Sequence, residues 1–409
     1  MTYHNKNEII PQILSFAKNP LNIREENFNC HFLHTLKICL EAQSRENLEN
    51  QDYLFQIDAI LDYIHEELNT GHWSTVPLTM RENFTVSSYI KAVLMLKNPN
   101  ELTVDSLEHC LKVIDLGLLL GAPLEENPEL LMECAKYLQK EINKYHRDTL
   151  INVENKTQYE DHLHYYSNID AIEIEALIIP SIETFNNKFF QLQIPVILKG
   201  CMDHWPASKK WLDVNYLLEV AGNRTVPVEL GSLYTDEQWS QKLMTLKDFI
   251  KNHYLSESGN TGYLAQHNLF DQISELREDI RIPEYCCCSL NFEEAMEPDI
   301  NAWLGPKGTV SPLHQDPKNN VLAQVYGTKQ ILLYSPEDTQ FLYPHGETML
   351  SNTSQVDPLN PNYIKYPEFK KATMFKGLLK SGEMLFIPLK WWHHVTALEK
   401  SFSVSFWWQ

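Results

Sequence analysis

The sequence predicts an α+β protein: an all-α N-terminal third followed by a larger, mainly β domain that carries some decorating helices. Three observations predict it. Apolar residues recur at helical spacing from Cys30 to about His146. From Ala171 onward they fall instead into short runs bounded by Pro, Gly and Asn. The chain ends in "SFSVSFWWQ", where Phe402, Val404 and Phe406 alternate with Ser401, Ser403 and Ser405. A length of 409 residues exceeds what one small core normally organises. Two domains are therefore expected, at 1–146 and 171–409, joined by a linker over 147–170.

The clearest helix is "VDSLEHCLKVIDLGLLLGAP", with Leu107, Cys110, Leu111, Ile114 and Leu118 on one stripe. Asp105 with Glu108 resembles a capping box, and Gly121 with Pro123 ends the helix. "LFQIDAILDYIHEEL", "VSSYIKAVLMLK" and "PELLMECAKYLQKEINKYH" carry similar stripes, as an antiparallel bundle or a short array of helix pairs would. This third is the candidate surface for a protein partner. The expected linker, "RDTLINVENKTQYEDHLHYYSNID", is polar and without period; His162 and His164 within it lack apolar flanks and read as surface imidazoles. Beyond it, "IPVILKG", "KQILLYSP" and "EMLFIP" read as buried strands and "LMTLKDFIKNHYL" as an interleaved helix, which together give a sandwich or barrel core.

Composition narrows the function. With 43% apolar and 22% charged residues the chain is ordinary globular material. The net charge is −20 and no run of five or more Lys/Arg occurs, so neither nucleic acid nor an anionic membrane has a direct footprint. A basic protein partner is favoured electrostatically; acidity that merely maintains solubility is the plainer alternative. The start, "MTYHNKNEIIPQILSFAKNP", lacks a basic segment followed by a long apolar one, and a soluble protein of the nucleus and/or cytoplasm is expected. The eight cysteines fit reduced thiols. Cys30, Cys39, Cys110 and Cys134 sit in helical patterns, while Cys286, Cys287 and Cys288 point in different directions with no C-x-x-C beside them.

One stretch carries chemistry. In "SPLHQDPKNNVLAQVYG", His314 and Asp316 stand two apart on a strand, so imidazole and carboxylate face the same way. That is half of the two-His, one-carboxylate facial site of a non-haem iron centre, and a second His must come from elsewhere. In "GEMLFIPLKWWHHVTALEKSFSVSFWW", His393 and His394 are the candidates, and adjacent strand residues face opposite sides, so only one can serve. The alternative is a jelly roll with buried, hydrogen-bonded histidines.

The spacing of Gly308, five residues, His314, one residue, Asp316, then Asn320 and Gly327 resembles the first cupin motif, with Asp for its second His and Asn for its usual Glu. Gly382, five residues, Pro388 and then five positions to His393 resembles the second motif and selects His393 over His394. Three protein ligands would leave iron(II) three positions, which suits a bidentate 2-oxo acid and dioxygen. Lys329, thirteen residues beyond Asp316, could pair with the distant carboxylate of that co-substrate.

From roughly Glu175 to Gln409 the chain resembles the JmjC-domain 2-oxoglutarate oxygenases, through "QIPVILKGCMDHWPASKKW", "GYLAQHNLFDQI", "NAWLGPKGTVSPLHQDPKNN" and "SFSVSFWW". The resemblance implies a cupin-type double-stranded β-helix holding Fe(II) at His314, Asp316 and His393, with 2-oxoglutarate and O2 as co-substrates. It implies that Tyr263, Ser311, Asn320 and Lys329 bind 2-oxoglutarate, that Trp303 lines its pocket, and that Glu229 and Trp239 hold a substrate arginine. Read without the resemblance, the last two are a strand-edge acid and a core Trp. The expected activity is hydroxylation of arginine side chains in a protein substrate. Demethylation of histone H3 at N-methyl lysine 36 by the same oxidant comes second. A catalytically silent cupin scaffold is the reading from another class, with the Glu337–Lys371 loop as lid or docking surface. A peptidase ranks lowest, because neither H-E-x-x-H nor G-x-S-x-G occurs.

Overall fold

The computed structural model describes residues 6–26, 28–43, 52–70, 75–97, 102–145, 170–231, 239–256, 261–290, 297–346 and 350–409. The expected linker, save its last residue, and the His162/His164 pair lie outside the described residues.

Among the described residues six helices form the N-terminal unit: α1 (Lys6–Ser15), α2 (Cys30–Ala42), α3 (Asp52–Leu68), α4 (Leu78–Lys97), α5 (Val104–Leu120) and α6 (Leu130–Asn143). Helices α2 to α6 pack on one another in succession, and α1 lies against α4. On α5 the stripe Leu107, Cys110, Leu111 and Ile114 is fully buried, as its spacing predicts. Its cap differs from the expected one. The helix begins at Val104, so Thr103 takes the cap position. The Thr103 hydroxyl accepts from Ser106 N at 3.2 Å, and Ser106 Oγ accepts from Thr103 N at 3.4 Å. Asp105 falls inside the first turn, where a carboxylate suits the positive end of the helix. Gly121 closes the other end, as expected.

The β domain contains β1 (Ile172–Glu173), β2 (Ala176–Ile178), β3 (Val196–Lys199), β4 (Thr225–Leu230), β5 (Ser240–Thr245), β6 (Gly262–His267), β7 (Asp299–Gly305), β8 (Val310–Gln315), β9 (Asn319–Tyr326), β10 (Lys329–Tyr334), β11 (Phe375–Leu379), β12 (Glu383–Ile387), β13 (Trp392–Ala397) and β14 (Ser401–Trp408). They make a five-stranded sheet in the order β1-β11-β10-β13-β8 and a nine-stranded sheet in the order β2-β3-β12-β9-β14-β7-β6-β4-β5. The expected helix at "LMTLKDFIKNHYL" starts only at Leu246, because Leu243 to Thr245 complete β5 and the Thr245 side chain caps the helix.

The terminal alternation separates two buried environments. Phe402, Val404 and Phe406 pack with Trp205, Trp211 and Phe249 beneath the decorating helices. Ser401, Ser403 and Ser405 are also fully buried, and two of them bond other strands: Ser403 donates to Gln324 Oε1 at 2.6 Å, and Trp303 Nε1 donates to Ser405 Oγ at 2.9 Å, while Ser401 Oγ has no partner among the described residues. Between the sheets Leu322, Ile331, Leu333, Leu385, Ile387 and Val395 form a second apolar layer.

The loop expected as a lid is seated on the edge of β8. Gln315 N donates to Asn352 O at 2.9 Å and Ser354 N to Leu313 O at 2.8 Å, while Leu342, Val356, Tyr366 and Phe369 bury themselves with Leu313 and Trp392. Helical unit and β domain meet at helix α7 (Val214–Ala221) and at Asp115 of α5. Asn143 Nδ2 donates to Glu219 O at 2.6 Å, and Asp115 pairs with Arg224 at 2.7 Å, both side chains having lost essentially all exposure.

Candidate metal centre and adjoining pocket

His314 lies near the end of β8 and His393 near the start of β13, directly opposite one another in the antiparallel register. Asp316 follows β8 at once, and Lys390 N donates to its carbonyl at 3.0 Å, which ties the turn after β8 to the one before β13. Asn319 reinforces this by accepting Leu389 N at 3.0 Å, so "DPKNN" is a clamp on the metal-facing turn.

The ligand atoms of His314, Asp316 and His393 all lie within 4.8 Å of one another. Nε2 of His314 is 3.8 Å from Asp316 Oδ1, and Nε2 of His393 is 3.5 Å from Asp316 Oδ2. His314 Nδ1 stands 2.7 Å from Pro312 O and His393 Nδ1 3.0 Å from Trp391 O. A carbonyl only accepts, so both Nδ1 atoms carry the proton and both Nε2 lone pairs point at the shared centre. Burial and the neighbouring His314 push the His393 imidazole down to about 4, which keeps it in the neutral, ligating form at physiological pH. The donor set of two neutral imidazoles and one carboxylate with an open side fits a divalent non-haem iron. His394 faces away and is packed: it is buried, and its Nδ1 has no partner among the described residues.

The triad opens into a narrow cleft between the sheets. Tyr263, Trp303, Ser311, Asn320 and Lys329 line it beside the three candidate ligands. Lys329 is almost wholly buried, and its Nζ donates to Tyr263 OH at 3.3 Å. Burial lowers its ammonium to about 7, and among the described residues no acid pairs with it. Tyr263 bonds Ser311, and its phenol is pushed up, first by burial and then by Glu229. Asn320 Oδ1 is buried without a partner among the described residues. A buried ammonium, a phenol, a hydroxyl and an amide around one polar gap are what a dicarboxylate requires. Trp303 has committed its N–H to Ser405, so it offers the cleft its ring.

Glu229 stands on β4 directly across from Tyr263 on β6. Burial raises its carboxyl, and the Trp239 indole N–H, its hydrogen-bond partner, pulls the other way. Trp239 itself is 36% exposed, so it is a rim residue and not the core Trp that its residue type suggests. Sequence reasoning missed Trp407, which lines the cleft with a buried Nε1 lacking a partner among the described residues. The available signal was parity: Trp407 shares the strand face of Ser401, Ser403 and Ser405. Cys286 and Cys288 have their thiols pushed up, mainly by burial, which is the opposite of nucleophile activation.

Fold and site together define a cupin with a His-x-Asp…His triad whose donor atoms are grouped as a metal site requires. The family model for the Cupin-like domain matches residues 182–409. The chain is 44% identical over 358 residues to lysine-specific demethylase 8 of Danio rerio, covering 85% of this chain and 86% of the relative. It is 41% identical over 379 residues to Jumonji C domain-containing protein 5 of Drosophila melanogaster, covering 90% of each. Lysine-specific demethylase JMJ30 of Arabidopsis thaliana is 35% identical over 86% of this chain and 85% of its own. The chain belongs to the JmjC family of cupin-fold oxygenases.

Proposed function

We propose that this protein is an Fe(II)- and 2-oxoglutarate-dependent oxygenase that hydroxylates a carbon of an arginine side chain in a protein substrate. His314, Asp316 and His393 would hold the iron, which with 2-oxoglutarate and dioxygen supplies oxidative decarboxylation to succinate and insertion of one oxygen atom into a C–H bond. Lys329, Tyr263, Ser311 and Asn320 would orient the co-substrate by its carboxylates. Trp303, Leu322 and Ile387 would exclude water from the reacting face. The observation that carries the arginine reading is Glu229, a half-buried carboxylate bonded by an indole and beside no basic side chain among the described residues. Such a group is unfavourable alone and fits a guanidinium, over which the Trp239 ring can stack.

Demethylation of N-methyl lysine is the second reading, favoured by the names of two relatives. The same centre would hydroxylate an N-methyl carbon, and the product would release formaldehyde. A reducing compartment, nucleus or cytoplasm, suits eight free cysteines.

The test is mass spectrometry of arginine and methyl-lysine peptide libraries incubated with Fe(II), 2-oxoglutarate and air, with His314→Ala and Glu229→Gln as controls. Gain of one oxygen on arginine is expected, abolished by His314→Ala and lowered roughly 30-fold or more by Glu229→Gln, the cost of losing a desolvated charge pair. Loss of methyl with formaldehyde replaces this reading by demethylation. Absence of any product or succinate from iron-loaded protein points to the scaffold.

A further inference from the structure

A second and larger cleft lies where the helical unit meets the β domain. Its walls are the end of α5 with the loop to α6, including Leu119 and Pro123, and the sheet face carrying Pro227, Gln241 and Leu243. Resting on the arginine reading above, we propose that this cleft holds the substrate polypeptide beyond the oxidised residue, as an extended basic segment.

The argument begins with strand parity. Pro227 and Glu229 are two apart on β4, so they share a face. Gln241 and Leu243 of β5 pair across from Glu229 and Pro227, and Tyr263 pairs with Glu229 from the other side. One sheet face therefore runs from the co-substrate cleft through Tyr263 and Glu229 into the larger cleft. At about 3.3 Å per residue, a chain whose target side chain meets Glu229 enters that cleft roughly two residues later.

The cleft is built rather than incidental. Its floor includes His267 and Gln272, which bond at 2.8 Å; Gln272 Nε2 donates to Asp115 Oδ1 at 2.9 Å, and Asp115 holds Arg224. Fully bonded buried polar groups of this kind fix both walls in place. Leu119 and Leu243 face the cleft, Leu243 being 44% exposed, and Leu119 is absent from the helical core that takes Leu116, Leu118 and Leu120. Charge selects the occupant. Glu129 is exposed on the α5–α6 loop near the cleft, Glu125 beside it pairs with Arg24 at 3.5 Å, and Asp271 lines the cleft, its carboxyl raised chiefly by burial, with Arg277 pulling it down and Asp299 and Glu297 pushing it up. The cleft's Arg81 is committed to the Leu120 and Gly121 carbonyls. Apolar walls with the Asp271 carboxylate between them, in a chain of net charge −20, suit an extended peptide with Lys and Arg flanks.

The experiment uses the full chain and the arginine peptide that the library assay returns, made about five and about fifteen residues long, with basic or acidic flanks. The long basic peptide is expected to exceed the short one roughly tenfold in kcat/KM, through KM, and Leu119→Lys or Leu243→Lys is expected to bring that ratio near one. Leu243→Lys changes an exposed side chain, so it serves if Leu119→Lys fails to fold. A ratio near one in the unaltered protein, a ratio untouched by both variants, or acidic flanks as good as basic ones overturns the inference while leaving arginine hydroxylation standing. A photo-reactive residue at position 243 is expected to cross-link the long peptide, and cross-linking to residues 146–169 of the same chain instead overturns it. Absence of turnover on every arginine peptide removes the underlying reading as well.

Discussion

Lys329 shows how one residue can serve function at the cost of stability. Burial holds its ammonium at about 7, well below the ordinary lysine value. Between about pH 7 and pH 10 the unfolded chain therefore binds a proton that the folded protein lacks, so by linkage this residue's contribution makes stability rise with pH across that window. Below it, the folded protein carries a buried charge that no acid among the described residues neutralises. Lys329→Met is accordingly expected to stabilise the protein by on the order of 2–4 kcal/mol near pH 6, with the gain vanishing towards pH 10. The same variant is expected to weaken 2-oxoglutarate binding by roughly 2 kcal/mol or more, since a charge-assisted bond to a carboxylate is lost. Urea denaturation across pH together with calorimetric titration of 2-oxoglutarate checks both. A variant less stable at every pH would show that the ammonium contributes packing and no more.

At the scale of elements, the glycines of the first motif place the strands that carry the site. Gly327 turns the chain from β9 to β10 with φ +81°, and a Cβ there would sit 2.3 Å from the Lys400 carbonyl oxygen. Both the backbone conformation and the close approach demand glycine. Gly327→Ala is expected to cost about 3 kcal/mol or more and to displace Lys329 two residues on, so the melting temperature and 2-oxoglutarate affinity should fall together. An alanine variant with unchanged melting temperature would show that the turn can relax. Such motif residues made the candidate ligands on and beside β8 and β13 legible in the sequence, because chemistry, strand parity and spacing agreed at His314, Asp316 and His393. What escaped was set by tertiary context. The serines of β14 resemble a wet face yet are buried, and interior polar groups bond Ser403 and Ser405 there. Trp407 lies on that same face and was hidden in an aromatic pair whose two members face opposite ways. The capping box on α5 slipped because Thr-x-x-Ser can do at Thr103 what Asp-x-x-Glu was expected to do two residues later. The Glu337–Lys371 loop read as a lid or docking surface because its hydrogen bonds go to the edge of β8, a partner far away in sequence.

For the whole molecule the question is whether helices and cupin form one cooperative structure. Their junction centres on Asp115, whose Oδ1 accepts from Arg224 Nε at 2.8 Å and Gln272 Nε2 at 2.9 Å, and whose Oδ2 accepts Thr225 N at 2.6 Å. One helical carboxylate therefore satisfies a guanidinium, an amide and a backbone N–H of the β domain, all beyond the reach of water. A buried pair of this kind adds little relative to an apolar replacement, because desolvation offsets its attraction, but removing one partner strands the other. Asp115→Ala is expected to cost about 3–5 kcal/mol, whereas Asp115→Leu combined with Arg224→Met is expected to recover much of that. The second consequence concerns cooperativity. Once the junction is weakened, the helices retain their own core around α4 and the cupin retains its two apolar layers, so denaturation of Asp115→Ala is expected to separate into two transitions where the unaltered protein shows one. Circular dichroism at helical and aromatic wavelengths across a urea series reads both effects. Coincident transitions and a loss below about 1 kcal/mol would mean that the surrounding apolar contacts, and not this carboxylate, join the two units.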